Sequence, residues 1–388
     1  MIAFVGCYTT ADRNGRGDGI NVFRVDPESG LWTHVQLLAH LANPSYLTLD
    51  PRHRTLYSVH GGALEDVSAF AIDQATGRLA LLNTRRSGGQ NPVSLTVHPG
   101  RRYLAVANYG AGSVAVLPVE ADGSLEPFVD RVETTGDHGP HPVEQTGPHP
   151  HDIVFDPAGS FLAVPDKGLD RVFVYRLDTE RGKLLPADPP SAPARPGAAP
   201  RHVTFHPNGR YAYVINELDP TITTYGYDAD RGTLHALQVV STLPSGFAGT
   251  TTGAEIAVHP SGRFVYGSNR GHDSIAVFAV DGGSGELTAV DWTPTGGRTP
   301  RTFALDPSGK ALYAANQDSD TIVGFAVDQA TGRLAPTGPA GRCRRPSGNA
   351  LRPVAASGTL RPDVPRYSVA VEPSREIPGQ NGFSRARR

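Results

Sequence analysis

The chain has 388 residues, of which 44 are glycine and 34 proline, so about one residue in five opposes the interior of a helix. Lys and Arg number 36 against 38 Asp and Glu, a net charge of −2, and no bulk charge points to nucleic acid or a membrane surface. Helical bundles and coiled coils are excluded in favour of a globular, mostly β protein, because 13 Tyr and 14 Phe, with many Val and Ile, are spread along the chain and supply a core.

The N-terminal MIAFVGCYTT lacks a charged segment ahead of a long apolar run, and no later stretch approaches the roughly 20 apolar residues that cross a bilayer. Cys7 and Cys343 are the only cysteines, too few for a disulfide framework in a chain of this size. A soluble cytoplasmic protein is expected, a monomer or weak homo-oligomer with neither nucleic acid nor membrane as partner.

From Ile20 onward, seven segments share an alternating apolar run that ends in an acidic residue, followed by a Gly-containing turn and a Leu. They begin at Ile20, Val67, Val114, Val172, Ile222, Ile275 and Ile322, as in IAVFAVDGGSGEL. The acidic residues are Asp26, Asp73, Glu120, Asp178, Asp228, Asp281 and Asp328, spaced by 47, 47, 58, 50, 53 and 47. Period-two alternation across a short Asp/Gly loop predicts a β-hairpin. A second hairpin alternates with the first from Asn43, Asn91, Pro150, Pro200, Ala254 and Pro300, as in PRHVTFHPNGRYAYVIN. Its turn is Asp-Pro or His-Pro, usually followed by Gly.

Two hairpins per repeat of about 50 residues predict an all-β, seven-bladed β-propeller with four antiparallel strands per blade. The repeats lack the Trp-Asp and Gly-His marks of WD40 blades, and a solenoid repeat is usually shorter. The propeller is expected over 1–337. The first blade lacks its innermost strand at the N-terminus, so the Pro- and Arg-rich tail, 338–388, is expected to supply it near 366–372, where PRYSVAVEPS resembles PRTFALDPS.

In a propeller, the start of each blade's first strand and the end of its second meet at one mouth of the channel. The first-strand starts are Ser45, Val93, His151, Arg201, Ala254 and Arg301. The positions past the second strand are Tyr8, Gly61, Tyr109, Lys167, Glu217, Arg270 and Gln317. Cations are thus concentrated at one opening, an arrangement that suits a small anion. His98, His206 and His259 replace Asp before Pro in the turns and are expected to be structural. The longest repeat carries DHGPHPVEQTGPHPH from Asp137, a His-rich loop that matches no compact zinc signature. No metal and no cofactor are expected. No nucleophile elbow or phosphate-cradling Gly loop is properly placed.

The stretches VGCYT, VANYGAGSVAV, GPHPHDIVFDP, PRHVTFHPNGRYAYVINEL, SNRGHDSIAVFAVD and ANQDSDTIVGF resemble the seven-bladed propeller lactonase family. That family includes propeller-type 6-phosphogluconolactonases and carboxymuconate-cyclising enzymes. The resemblance implies His151, Arg201, Glu217 and Arg270 as catalytic residues. It also implies hydrolysis of an anionic sugar lactone, 6-phospho-D-glucono-1,5-lactone first among them, in the pentose phosphate pathway. His151 or Glu217 would then be general base, Arg201 and Arg270 would face the developing oxyanion, and Lys167 or Arg301 would hold the phosphate. Tyr109 and Gln317 are expected as further substrate contacts. The rival readings are a cyclase for a muconate-type dicarboxylate, a non-catalytic binding propeller, and a family member without activity.

Overall fold

A computed structural model gives the structure of the chain, which describes residues 1–26, 30–342 and 346–352. Seven four-stranded antiparallel sheets form the blades of a propeller. Blade 4, for example, runs outward from Val154–Phe155 through Phe161–Asp166 and Arg171–Asp178 to Lys183–Pro193. Second strands such as Tyr103–Asn108 and Tyr211–Asn216 are buried at every residue, whereas outermost strands such as Leu79–Arg86 are largely exposed. This burial follows from the stacking, because each inner strand has a neighbouring blade on both faces and so carries apolar residues on both.

The core therefore lies between blades. Seven apolar clusters occupy the seven interfaces. The one that closes the ring packs Ala3, Val5, Phe23 and Trp32 against Ala304, Tyr313 and Ile322.

The two turn families behave as their chemistry requires. Asp73, Asp228, Asp281 and Asp328 each accept backbone N–H groups of their own turn through Oδ1. Asp50, Asp156 and Asp306 accept the N–H of the residue that opens the next strand. His206 and His259 bind their own turn through Nδ1 and reach the carbonyls of Gly262 and Gly309 in the following blade through Nε2. They bridge blades.

Tyrosine hydroxyls make a second set of bridges. Tyr57, Tyr213 and Tyr266 donate to the carbonyls of Gly123, Gly285 and Gly332, at 2.9, 3.0 and 3.0 Å. Each acceptor glycine sits at positive φ in the next blade's turn, a conformation that glycine adopts without strain. Tyr213→Phe should lower stability by about 1–2 kcal/mol, since a buried carbonyl loses its partner. Urea unfolding measures this, and an unchanged midpoint would count against the bridge.

The closing position is filled from the C-terminal side, by a different segment from the one expected. Pro346–Arg352 pairs antiparallel with Ile2–Cys7 and lies between the innermost strands Pro44–Leu49 and Pro300–Leu305. The expected segment, 366–372, lies outside the described residues. The strand Leu334–Arg342 also crosses the boundary expected at 337, so the propeller extends to Arg352. PSGNALR has no alternating apolar run, which is why the sequence pattern passes over it. No helix among the described residues is long and apolar enough to cross a membrane.

Candidate active site

The mouth is assembled by one repeated backbone device. A residue in the left-handed region precedes the first strand of several blades: Asn43, Asn91, Ala199 and Thr299, with φ of 42, 52, 57 and 60°. Their carbonyls accept the N–H groups of Gly61, Tyr109, Glu217 and Gln317. In blade 4, Lys167 N–H donates likewise to His149 O. The starts of the first strands are thereby pinned to the ends of the second strands, as the repeat implied.

The pairing register then slips just inside the first strand of five blades, between Pro44 and Tyr46, Pro92 and Ser94, Pro200 and His202, Gly253 and Ile256, and Pro300 and Thr302. Such a bulge re-aims a side chain. Two consecutive residues of a blade consequently reach the channel, Arg201 with His202 and Arg301 with Thr302.

Glu217 is the hub of the charges. Its Oε1 accepts from Lys167 Nζ at 2.8 Å, while Oε2 lies 2.9 Å from Arg201 Nε and 3.2 Å from Arg270 Nη2. Lys167 also reaches Glu144 Oε2 at 2.5 Å. Burial alone would push the Glu217 carboxyl up, but Arg270, Lys167 and Arg201 together outweigh it and hold it well below the usual carboxylate range. Burial, then the like charges of Arg270 and Arg301, bring Arg201 down to about 9, still cationic at neutral pH. Arg201 and Arg270 are further tied to the carbonyls of Ala254 and Gly253.

Beside this cluster lies a narrow pocket lined by Tyr8, Tyr46, His151, Arg201, His202 and Arg301 among others. The His151 imidazole is held well below its usual pKa by burial, and then by Arg201 and His202. It is neutral at pH 7, and its buried Nδ1 has no hydrogen-bond partner among the described residues.

Of the residues expected from the sequence, His151, Arg201 and Arg301 line the cavity. Glu217, Arg270 and Lys167 stand behind Arg201 as its ion-paired support. Tyr109 lies against this group, with its ring edge-on to His151 at 5.5 Å, stacked on His149 at 4.4 Å, and 6.0 Å from Lys167 Nζ. Gln317 is buried, and its Oε1 lacks a hydrogen-bond partner among the described residues.

Sequence reasoning missed the inner ring that the bulges create. There His202 Nδ1 lies 2.8 Å from Glu255 Oε1, and Thr302 Oγ1 donates to Glu255 Oε2 at 3.1 Å. Ser94 Oγ donates to Asp152 at 2.6 Å. The signal was present, since each residue directly follows a strand start. Glu144 was missed within the His-rich loop, which is anchored by Gln145 donating to Lys167 O and Asp170. Asp170 in turn accepts from Ala199 N, two residues before Arg201.

The family described as "Lactonase, 7-bladed beta-propeller" matches residues 2–348. A 6-phosphogluconolactonase of Bacillus subtilis is 38% identical over 303 residues, covering 78% of this chain and 84% of the relative. A 6-phosphogluconolactonase of Formosa agariphila is 34% identical over 309 residues, covering 77% and 85%. Among solved structures, the periplasmic gluconolactonase of Pseudomonas aeruginosa superimposes with a TM-score of 0.84 at 35% identity, covering 91% of this chain and 99% of that one. The blade count and these likenesses agree, and the chain belongs to the seven-bladed β-propeller lactonase family.

Proposed function

We propose that the protein hydrolyses a sugar δ-lactone, with 6-phospho-D-glucono-1,5-lactone as substrate and the open-chain acid as product. One observation carries the reading: a neutral, buried imidazole with an unpartnered nitrogen lines the same cavity as two arginines. The names of the relatives and the cationic mouth support it.

His151 is the general base. Glu217 is a poor candidate, because both its oxygens face cations and its carboxyl is held well below the usual range. Water gives a proton to His151 Nδ1 as its oxygen attacks the lactone carbonyl carbon. The negative charge that develops on the carbonyl oxygen meets the Arg201 guanidinium, which Glu217 holds in place. The ring C–O bond then breaks, the imidazolium returns the proton to the departing alkoxide, and the new carboxylic acid releases its own proton to solvent. Arg270 and Lys167 orient Glu217 and do not touch the substrate. This reading departs from the expected division of labour, in which they faced the oxyanion and the phosphate, because both are ion-paired to Glu217. Action on a hexose-derived lactone in the pentose phosphate pathway, in the cytoplasm, belongs to the same reading, supported by the scarcity of cysteine.

Purified protein incubated with freshly generated 6-phosphogluconolactone should release acid faster than the spontaneous reaction. Because the His151 pKa is lowered, its basic form persists as pH falls, and the acid limb of kcat/KM should lie well below 6.5. No excess rate at any pH would overturn the reading.

A further inference from the structure

Two guanidinium groups at the mouth form no ion pair among the described residues once the Glu217 cluster is balanced. Lys167 faces Glu144 and Glu217, and Arg201 and Arg270 share Glu217. Arg301 and Arg13 have no carboxylate within 4.0 Å among the described residues. Both approach the same side chain. Arg13, in the short 3₁₀ turn Ala11–Arg13, places Cζ 4.7 Å from the Tyr8 ring centroid, and Arg301 Cζ lies 5.8 Å from it.

Tyr8 is 4% exposed and lines the cavity that holds His151 and Arg201. Its hydroxyl oxygen accepts from Arg13 Nη2 at 2.9 Å. The hydroxyl hydrogen is thus left to be donated elsewhere.

We propose that Arg13, Arg301 and the Tyr8 hydroxyl form a subsite for the phosphate monoester of the substrate. A phosphomonoester carries between one and two negative charges near neutral pH, which matches two guanidinium groups that form no ion pair among the described residues. Arginine presents a planar fork suited to phosphate oxygens, and the tyrosine adds one O–H donor between them. Lys167, the other group expected to hold phosphate, is already committed to two carboxylates. The proposal rests on the lactonase reading and adds to it the residues that would distinguish a lactone bearing a phosphate from an unphosphorylated sugar lactone.

The groups that face Tyr8 also give the subsite a pH dependence. Burial would push its phenol up, but Arg301, Arg13 and Arg201 outweigh that and bring it down to about 8. Above that pH the phenolate opposes a phosphate and the donor is lost, so KM for the phosphorylated lactone should rise, and in Tyr8→Phe that rise should vanish.

The test compares kcat/KM for 6-phosphogluconolactone and for unphosphorylated gluconolactone in wild type and Arg13→Gln. The ratio of the two should fall about tenfold or more in the variant, mainly through KM, since a charge-assisted hydrogen bond is lost. A ratio unchanged within about twofold overturns the subsite. Inorganic phosphate should compete with gluconolactone in wild type and do so several-fold more weakly in Arg13→Gln, and equal inhibition constants also overturn it. If neither lactone is turned over, the functional reading fails while the subsite is still decided, because calorimetric titration of inorganic phosphate into both proteins measures it directly. Equal binding, or none to wild type, sinks it.

Discussion

Replacing Arg201 with alanine should lower kcat/KM by a factor of about 10² to 10³, the range seen when one preorganised donor to an oxyanion is removed. Arg201 is 2% exposed and is the largest of the fully buried side chains. In the proposed mechanism its loss removes the positive charge that meets the developing oxyanion. It also leaves Glu217 with Lys167 and Arg270 alone. Removing one member of a buried ion cluster costs about 3–5 kcal/mol, so turnover must be measured at a temperature where the variant is folded, as circular dichroism reports. His206→Ala is the matched control. It removes a buried imidazole that links two blades through Gly262 and should cost stability while leaving the folded enzyme active. Comparable losses of turnover in the two variants would refute the role of Arg201.

The second large effect is on closure. A chain ending at 345 loses the strand Pro346–Arg352, and with it the ladder from Ile2↔Arg352 to Cys7↔Pro346. A chain ending at 352 keeps that strand and is the reference. The shorter chain should melt lower by about 5–10 °C, since opening the ring exposes one edge of blade 1 and the seams on either side of it. It should also lose affinity for substrate, because Tyr8 directly follows Ile2–Cys7. Equal melting temperatures for the two truncations would show that the ring is held closed without this strand.

Blade number and turn positions were legible because turn chemistry is local: an Asp side chain that accepts the N–H groups of its own turn, and a glycine at positive φ, mark the same places in the sequence and in the fold. The mouth was legible in outline, since the repeat phase alone brings His151, Arg201 and Glu217 to one opening. Its inner ring was not, because the bulge that presents His202 and Glu255 breaks the period-two rule on which the reading rests. The partition of charge was equally hidden. Lys167 reads as a free cation until Glu144, from a loop with no repeat counterpart, arrives beside it. Arg13 lies between strands, where periodicity carries no information. The closing strand eluded the pattern because PSGNALR carries no alternation of its own.

Closure by the two ends of one chain has a consequence for biosynthesis. At 5–20 residues per second, about 20–70 s separate the synthesis of Ile2–Cys7 from that of Pro346–Arg352. Throughout that interval blade 1 presents an unpaired edge of six residues, AFVG among them, apolar and competent to pair with another nascent chain. A ring that is well protected once closed therefore meets its greatest hazard of misassembly while still on the ribosome, and its yield in cells should depend on elongation rate and chaperone supply more than on the stability of the finished propeller.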